Sequence, residues 1–94
     1  MEFAYYCGID GKRMQLSEGK YTLYWRCPKY EEQNRDPGEK SCQNRLSWKE
    51  ASQIDKLNIE TGKRYRVGTL DILGGPVEEG IMKVFVINRR TCKK

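Results

Sequence analysis

Histidine is absent from this sequence. Its absence removes the usual imidazole general base and restricts any metal site to thiolates and carboxylates. There is also no apolar run near the roughly 18–20 residues that span a bilayer. No basic segment followed by an apolar one opens the sequence, so no secretory signal is visible and a cytosolic location is expected. Neither a P-loop nor a GxGxxG fingerprint occurs. Adjacent carboxylates such as Glu78 and Glu79 read as a solvated turn. These gaps point to a non-enzymatic protein without membrane partners.

What is present is more telling. Six Tyr, two Trp and two Phe sit within strand-like runs, so the chain is not a disordered polymer. At 94 residues it suits one domain, or one domain with an appendage. Mean hydropathy is -0.86, so the apolar core is small and a covalent or metal staple would weigh heavily in stability. Four cysteines would allow two disulfides, but in a reducing cytosol they read first as metal ligands or core residues. The net charge of +5, from 18 basic and 13 acidic residues, permits contact with a polyanion without demanding it.

The pattern predicts an α+β fold, mostly β, in two parts: residues 1–46 as β-hairpins, and residues 47–94 as one short helix followed by a β-hairpin. The second part either packs on the first or forms a small unit of its own. Phe3–Tyr6 reads as a strand and Cys7–Gly11 as a tight turn. Lys12–Leu16 and Tyr21–Arg26 read as a hairpin turned at Ser17–Lys20, with Tyr21, Leu23 and Trp25 on one face and Thr22, Tyr24 and Arg26 on the other. The polar stretch 31–41 reads as an exposed loop, and Gln43–Leu46 as a short strand. Ser47 and Glu50 fit a capping box for a helix reaching about Leu57, with Trp48, Ala51, Ile54 and Leu57 on its apolar side. Arg64–Leu73 and Ile81–Asn88 are β-rich, joined by a turn over Gly74–Gly80. The second run is apolar on both faces and is expected to be central or covered on both sides.

Cys7, Cys27 and Cys42 are the candidate metal ligands. Asp10 follows Cys7 with two residues between them, just before Gly11, where a tight turn would present a second donor. Cys92 is the alternative fourth ligand, since a thiolate is softer, but it must return from the far end of the chain. The spacing favours Asp10. If no metal binds, the cysteines are buried small hydrophobes.

Residues 5–46 resemble the zinc ribbons at the C-terminus of bacterial type IA DNA topoisomerases. Cys7, Gly11, Met14, Gly19, Trp25, Cys27, Tyr30 and Cys42 fall in the ribbon pattern. Asp10 replaces the family's second cysteine, and the fourteen residues between Cys27 and Cys42 exceed the usual gap. The resemblance implies a zinc-ribbon metal centre and binding of single-stranded DNA. Stacking and phosphate contacts would then fall to Lys12, Arg13, Tyr24, Arg26, Lys29, Tyr30 and Arg45. A different class of function, a protein-interaction or structural module, would use the C-terminal hairpin Arg64–Asn88.

Overall fold

The computed structural model describes residues 2–92. It is α+β and mostly β, with two sheets and one short helix. The strands are β1 (Glu2–Cys7), β2 (Gln15–Glu18), β3 (Leu23–Arg26), β4 (Arg45–Ser47), β5 (Arg64–Val67), β6 (Leu70–Glu78) and β7 (Ile81–Asn88). The helix α1 is Trp48–Asp55. One sheet has the order β1-β7-β6-β5, and the other β2-β3-β4.

β1 pairs with β7 in parallel, from Glu2 opposite Ile81 to Cys7 opposite Val86. The first and last strands are therefore neighbours, and a division of the chain near residue 46 does not separate two sheets. One core joins both halves. Tyr5, Met14 and Leu46 pack with Ala51, Ile54, Leu70, Ile72, Met82, Val84 and Val86. The Trp25 ring lies 5.3 Å from that of Tyr5, at the edge of this core.

The hairpin of β2 and β3 forms, but later in the sequence than its pattern suggests. Lys12–Met14 is drawn away to β1 instead. The Cys7 N–H donates to the Lys12 carbonyl at 2.8 Å, and the Met14 N–H to that of Tyr5 at 2.9 Å. Ser17 and Glu18 are thus strand residues, and the turn moves to Gly19–Thr22, closed by a 2.8 Å bond from the Gly19 N–H to the Thr22 carbonyl. Tyr21 falls in that turn, 89% exposed, and does not share a strand face with Leu23 and Trp25. The stretch after Cys27 is loop with two short 3-10 turns, Pro28–Tyr30 and Glu32–Asn34.

The capping box forms as expected, with the Ser47 hydroxyl accepting from the Glu50 N–H and the Glu50 carboxylate from the Ser47 N–H. The helix buries Ala51 and Ile54 but leaves Trp48 half exposed, because its first position lies at the sheet rim. The run 64–73 divides into two strands at the Gly68-Thr69 turn. The expected turn over Gly74–Gly80 shrinks to Glu79-Gly80, because β6 continues through an irregular register at Gly74–Val77. Gly74 and Gly75 are sheet residues required for close approach. A Cβ at Gly74 would lie 2.2 Å from the Glu60 carbonyl oxygen.

Candidate metal centre

Cys7, Cys27 and Cys42 form a buried cluster of their own, apart from the main core. Each is delivered by a different local device. Cys7 ends β1, and the following turn is closed by the Gly11 N–H donating to the Cys7 carbonyl at 2.9 Å. Gly11 has φ +74°, a conformation that suits glycine, and this turn carries Asp10 back towards Cys7. The turn is fixed to the sheet by the Gly8 N–H donating to the Val86 carbonyl at 2.9 Å. Cys27 follows β3 directly and precedes the Pro28–Tyr30 turn, whose Tyr30 N–H returns to the Cys27 carbonyl at 3.0 Å. Cys42 ends the polar loop, with its N–H 3.3 Å from the Lys29 carbonyl. That loop is held by an ion pair from Lys29 to Glu39 and by the Asp36 N–H donating to Glu39 at 2.8 Å.

One donor atom from each of Cys7, Asp10, Cys27 and Cys42 lies within 4.8 Å of the others, close enough to hold a metal ion. The Cys7 and Cys42 sulfurs are 3.8 Å apart. A disulfide would need about 2.05 Å, so the pair is unbonded. The Cys27 thiol faces both Asp10 carboxylate oxygens at 3.3 Å each. Cys92 is not in the cluster. It lines a neighbouring cleft of about 400 Å³ together with Asp10 and Cys42.

Burial pushes the Cys27 thiol well above its ordinary range. The Lys29 backbone opposes this, and the Cys7 thiol and Asp10 carboxylate reinforce it. Burial also pushes Cys42 up to about 12, against the Asn44 backbone and together with the nearby Cys7 and Asp10 charges. The buried Cys27 and Cys42 thiols resist ionisation unless a cation compensates them.

Two buried asparagines, which nothing in the sequence pattern singles out, tie this cluster to the sheet. The Asn44 side-chain amide donates to the Cys7 sulfur at 3.2 Å and to the Val86 carbonyl at 2.7 Å. Its carbonyl oxygen accepts from the Asn88 N–H at 2.9 Å. Its backbone carbonyl accepts from the Cys27 N–H at 3.1 Å. Asn88 in turn donates to the Arg45 carbonyl and to Glu50, and accepts from Thr69. The turn that carries Cys7 and Asp10, two strands and the helix N-terminus thus meet through two amides.

The residues expected to meet nucleic acid divide into groups. In the β2-β3-β4 sheet, Arg26 stands opposite Arg45, and Tyr24 lies two residues away on the same face. The Arg26 guanidinium lies 5.5 Å from the Tyr30 ring centre and also pairs with Glu31. Tyr24, Arg26, Tyr30 and Arg45 are therefore near neighbours. Lys29 is turned to Glu39 and the metal-side cleft. Arg13 bridges to Tyr6 on β1 and lies elsewhere, as part of the exposed Lys12-Arg13 segment.

The chain matches no model of a known protein family, no curated protein and no solved structure. No described helix is long and apolar enough to cross a membrane.

Proposed function

We propose that this chain is a small, non-enzymatic module, stapled by a zinc ion, that binds single-stranded nucleic acid. The observation that carries the metal is the spacing of the donors. Zinc bonds to sulfur at about 2.3 Å and to a carboxylate oxygen at about 2.0–2.2 Å, so a tetrahedron separates two sulfurs by about 3.8 Å and a sulfur from an oxygen by about 3.5 Å. The cluster has 3.8 Å between Cys7 and Cys42 and 3.3 Å between Cys27 and Asp10. Three thiolates and one carboxylate, with no open side to the main core, suit a structural role for zinc, as does the ribbon-like order of residues 5–46.

Nucleic acid is supported by the solvent face of the β2-β3-β4 sheet, where Tyr24 sits beside Arg26 and Arg45. The half-buried Tyr24 ring would offer a base-stacking face and the exposed Arg45 guanidinium would meet phosphates, with Arg26 already paired to Glu31. Protein purified without added zinc should carry about one equivalent per chain and lose stability in chelator. Less than about half an equivalent, with folding indifferent to chelator, refutes the metal. A labelled oligonucleotide at about 50 mM salt tests the second half, and binding that ignores salt refutes it.

A further inference from the structure

The larger sheet has two unlike faces. One side of β7 presents Met82, Val84, Val86 and Asn88 to the core, all buried. The other presents Lys83, Phe85 and Ile87, all only half-buried. The sequence suggests a strand that is central or covered on both sides, and β7 is central, between β1 and β6. Its outer side opens as a shallow cleft of about 470 Å³ lined in part by Gly8, Arg64, Leu73, Phe85 and Ile87.

The register sets three of these residues in one row with Tyr6 across all four strands. Tyr6 is opposite Phe85, Phe85 is opposite Leu73, and Leu73 is opposite Arg64. The Tyr6 and Phe85 rings are 5.5 Å apart, and Lys83 Nζ lies 5.2 Å from the centre of the Tyr6 ring. Bare backbone beneath lets the side chains lie close to the sheet. A Cβ on Gly75 would come within 2.8 Å of the Phe85 ring, and one on Gly8 within 2.7 Å of Ile87.

The charges around the row are mostly positive. Arg64 and Lys83 have no carboxylate partner among the described residues. Asp71 is neutralised by Arg66 at 3.0 Å and Arg89 at 3.5 Å. Arg13 borders the Tyr6 end, in a second cleft with Lys83. Two acids oppose them: Glu78 and Glu79, at the end of the β6-β7 hairpin, line the same cleft as Tyr6, Arg13 and Lys83.

We propose that this outer face is a second single-strand binding surface, with unstacked bases lying on Tyr6 and Phe85 and phosphates meeting Arg64, Lys83 and Arg13. It rests on the nucleic-acid reading above and extends it to a different sheet. Paired rings on adjacent strands with unpaired cations at both ends match a single strand, whose bases are free to stack. A duplex hides those base faces. Arg64 and Lys83, left without carboxylate partners, complement a polyanion, whose charge a neutral protein surface would not supply.

The test uses the full chain loaded with zinc and a fluorescent oligothymidylate of about fifteen nucleotides, long enough to cross the sheet. Tyr6→Leu and Phe85→Leu keep apolar bulk but remove the stacking face. Each should weaken binding by between about fivefold and a hundredfold, with circular dichroism and zinc content unchanged. Arg64→Gln and Lys83→Gln touch only half-buried or exposed side chains. Each should lower the slope of log affinity against log salt by about 0.7. Wild-type affinity in Tyr6→Leu, Arg64→Gln and Lys83→Gln overturns the inference. If only Tyr24→Ala or Arg45→Gln weakens binding, the smaller sheet alone binds and this surface is refuted. Preference for duplex overturns it, as does a dimer in sedimentation that Phe85→Leu dissolves. No binding by the wild-type chain refutes both surfaces.

Discussion

The amide of Asn44 donates a hydrogen bond to the sulfur of Cys7 at 3.2 Å, inside a pocket closed to water. A donor aimed at a sulfur fixes its direction and supports it as a metal ligand. The same amide is held by Val86 and Asn88, so the sulfur is aligned by the sheet itself. Replacing Asn44 by Ala should weaken zinc binding by about 10- to 100-fold, measured by competition with a chromophoric chelator. Unchanged affinity would mean that the contact is only packing.

Asp10 is the one oxygen donor among three sulfurs. Asp10→Cys should tighten zinc binding and raise the sulfur-to-metal charge-transfer absorption of the cobalt(II) form. Asp10→Ala should weaken binding by at least about tenfold, since a tetrahedral site then lacks a protein ligand. Cobalt spectra that are identical in all three proteins would remove Asp10 from the coordination sphere.

Proton linkage should reverse sign with the metal. In the metal-free fold, burial raises the Cys27 and Cys42 thiols above their ordinary range, Cys42 to about 12. The folded state therefore holds protons that the unfolded state releases near pH 8.5, and stability is full below that point. It should decline as pH rises from about 8.5 towards 12. Zinc binding expels the thiol protons, so zinc affinity should instead rise with pH through the neutral range. Urea melts across pH with and without chelator measure both trends. Parallel curves would contradict the linkage.

Glu50 closes the capping box and accepts from Arg90 at 2.9 Å and Asn88 at 3.0 Å. Burial works against its charge, but the bonds from Arg90 and Ser47 prevail and hold its carboxyl below the usual carboxylate range. Its contribution is present above the unfolded value near pH 4.3 and is lost as pH falls through the lower folded value. Ser47→Ala removes the reciprocal half of the cap and should cost about 1 kcal/mol. Glu50→Gln should flatten the acid limb of the stability curve, and an unaltered limb would assign that limb to other carboxylates.

The parts of the fold that local chemistry specifies were legible in the sequence. Ser47 and Glu50 announce a helix start because both halves of the cap lie within four residues. The β2-β3 hairpin, β7 and the Cys-Asp turn follow the same logic of short range. The errors have one source, which is competition from distant backbone. Lys12–Met14 leaves the hairpin because β1 offers it partners, and Gly74-Gly75 stays in the sheet because neighbours leave no room for a side chain. Asn44 was invisible because an asparagine beside a cysteine carries no signal until Val86 and Asn88 arrive from the other end of the chain.

The parallel pairing of β1 with β7 has a consequence for the order of events during synthesis. All four proposed ligands belong to the first 42 residues, whereas β1 cannot complete its sheet until β7 has been made. If the cluster holds an ion as proposed, a growing chain can capture it while the apolar side of β1 still lacks its neighbour. Closing that last contact joins residues 2–7 to residues 81–86, a long loop of the kind slowest to close. An ion already bound would shorten it, by joining β1 to the Cys42 segment that leads into β4 and the helix. Metal scarcity would then be felt first as delayed maturation and aggregation of the nascent chain, before any effect on the finished molecule.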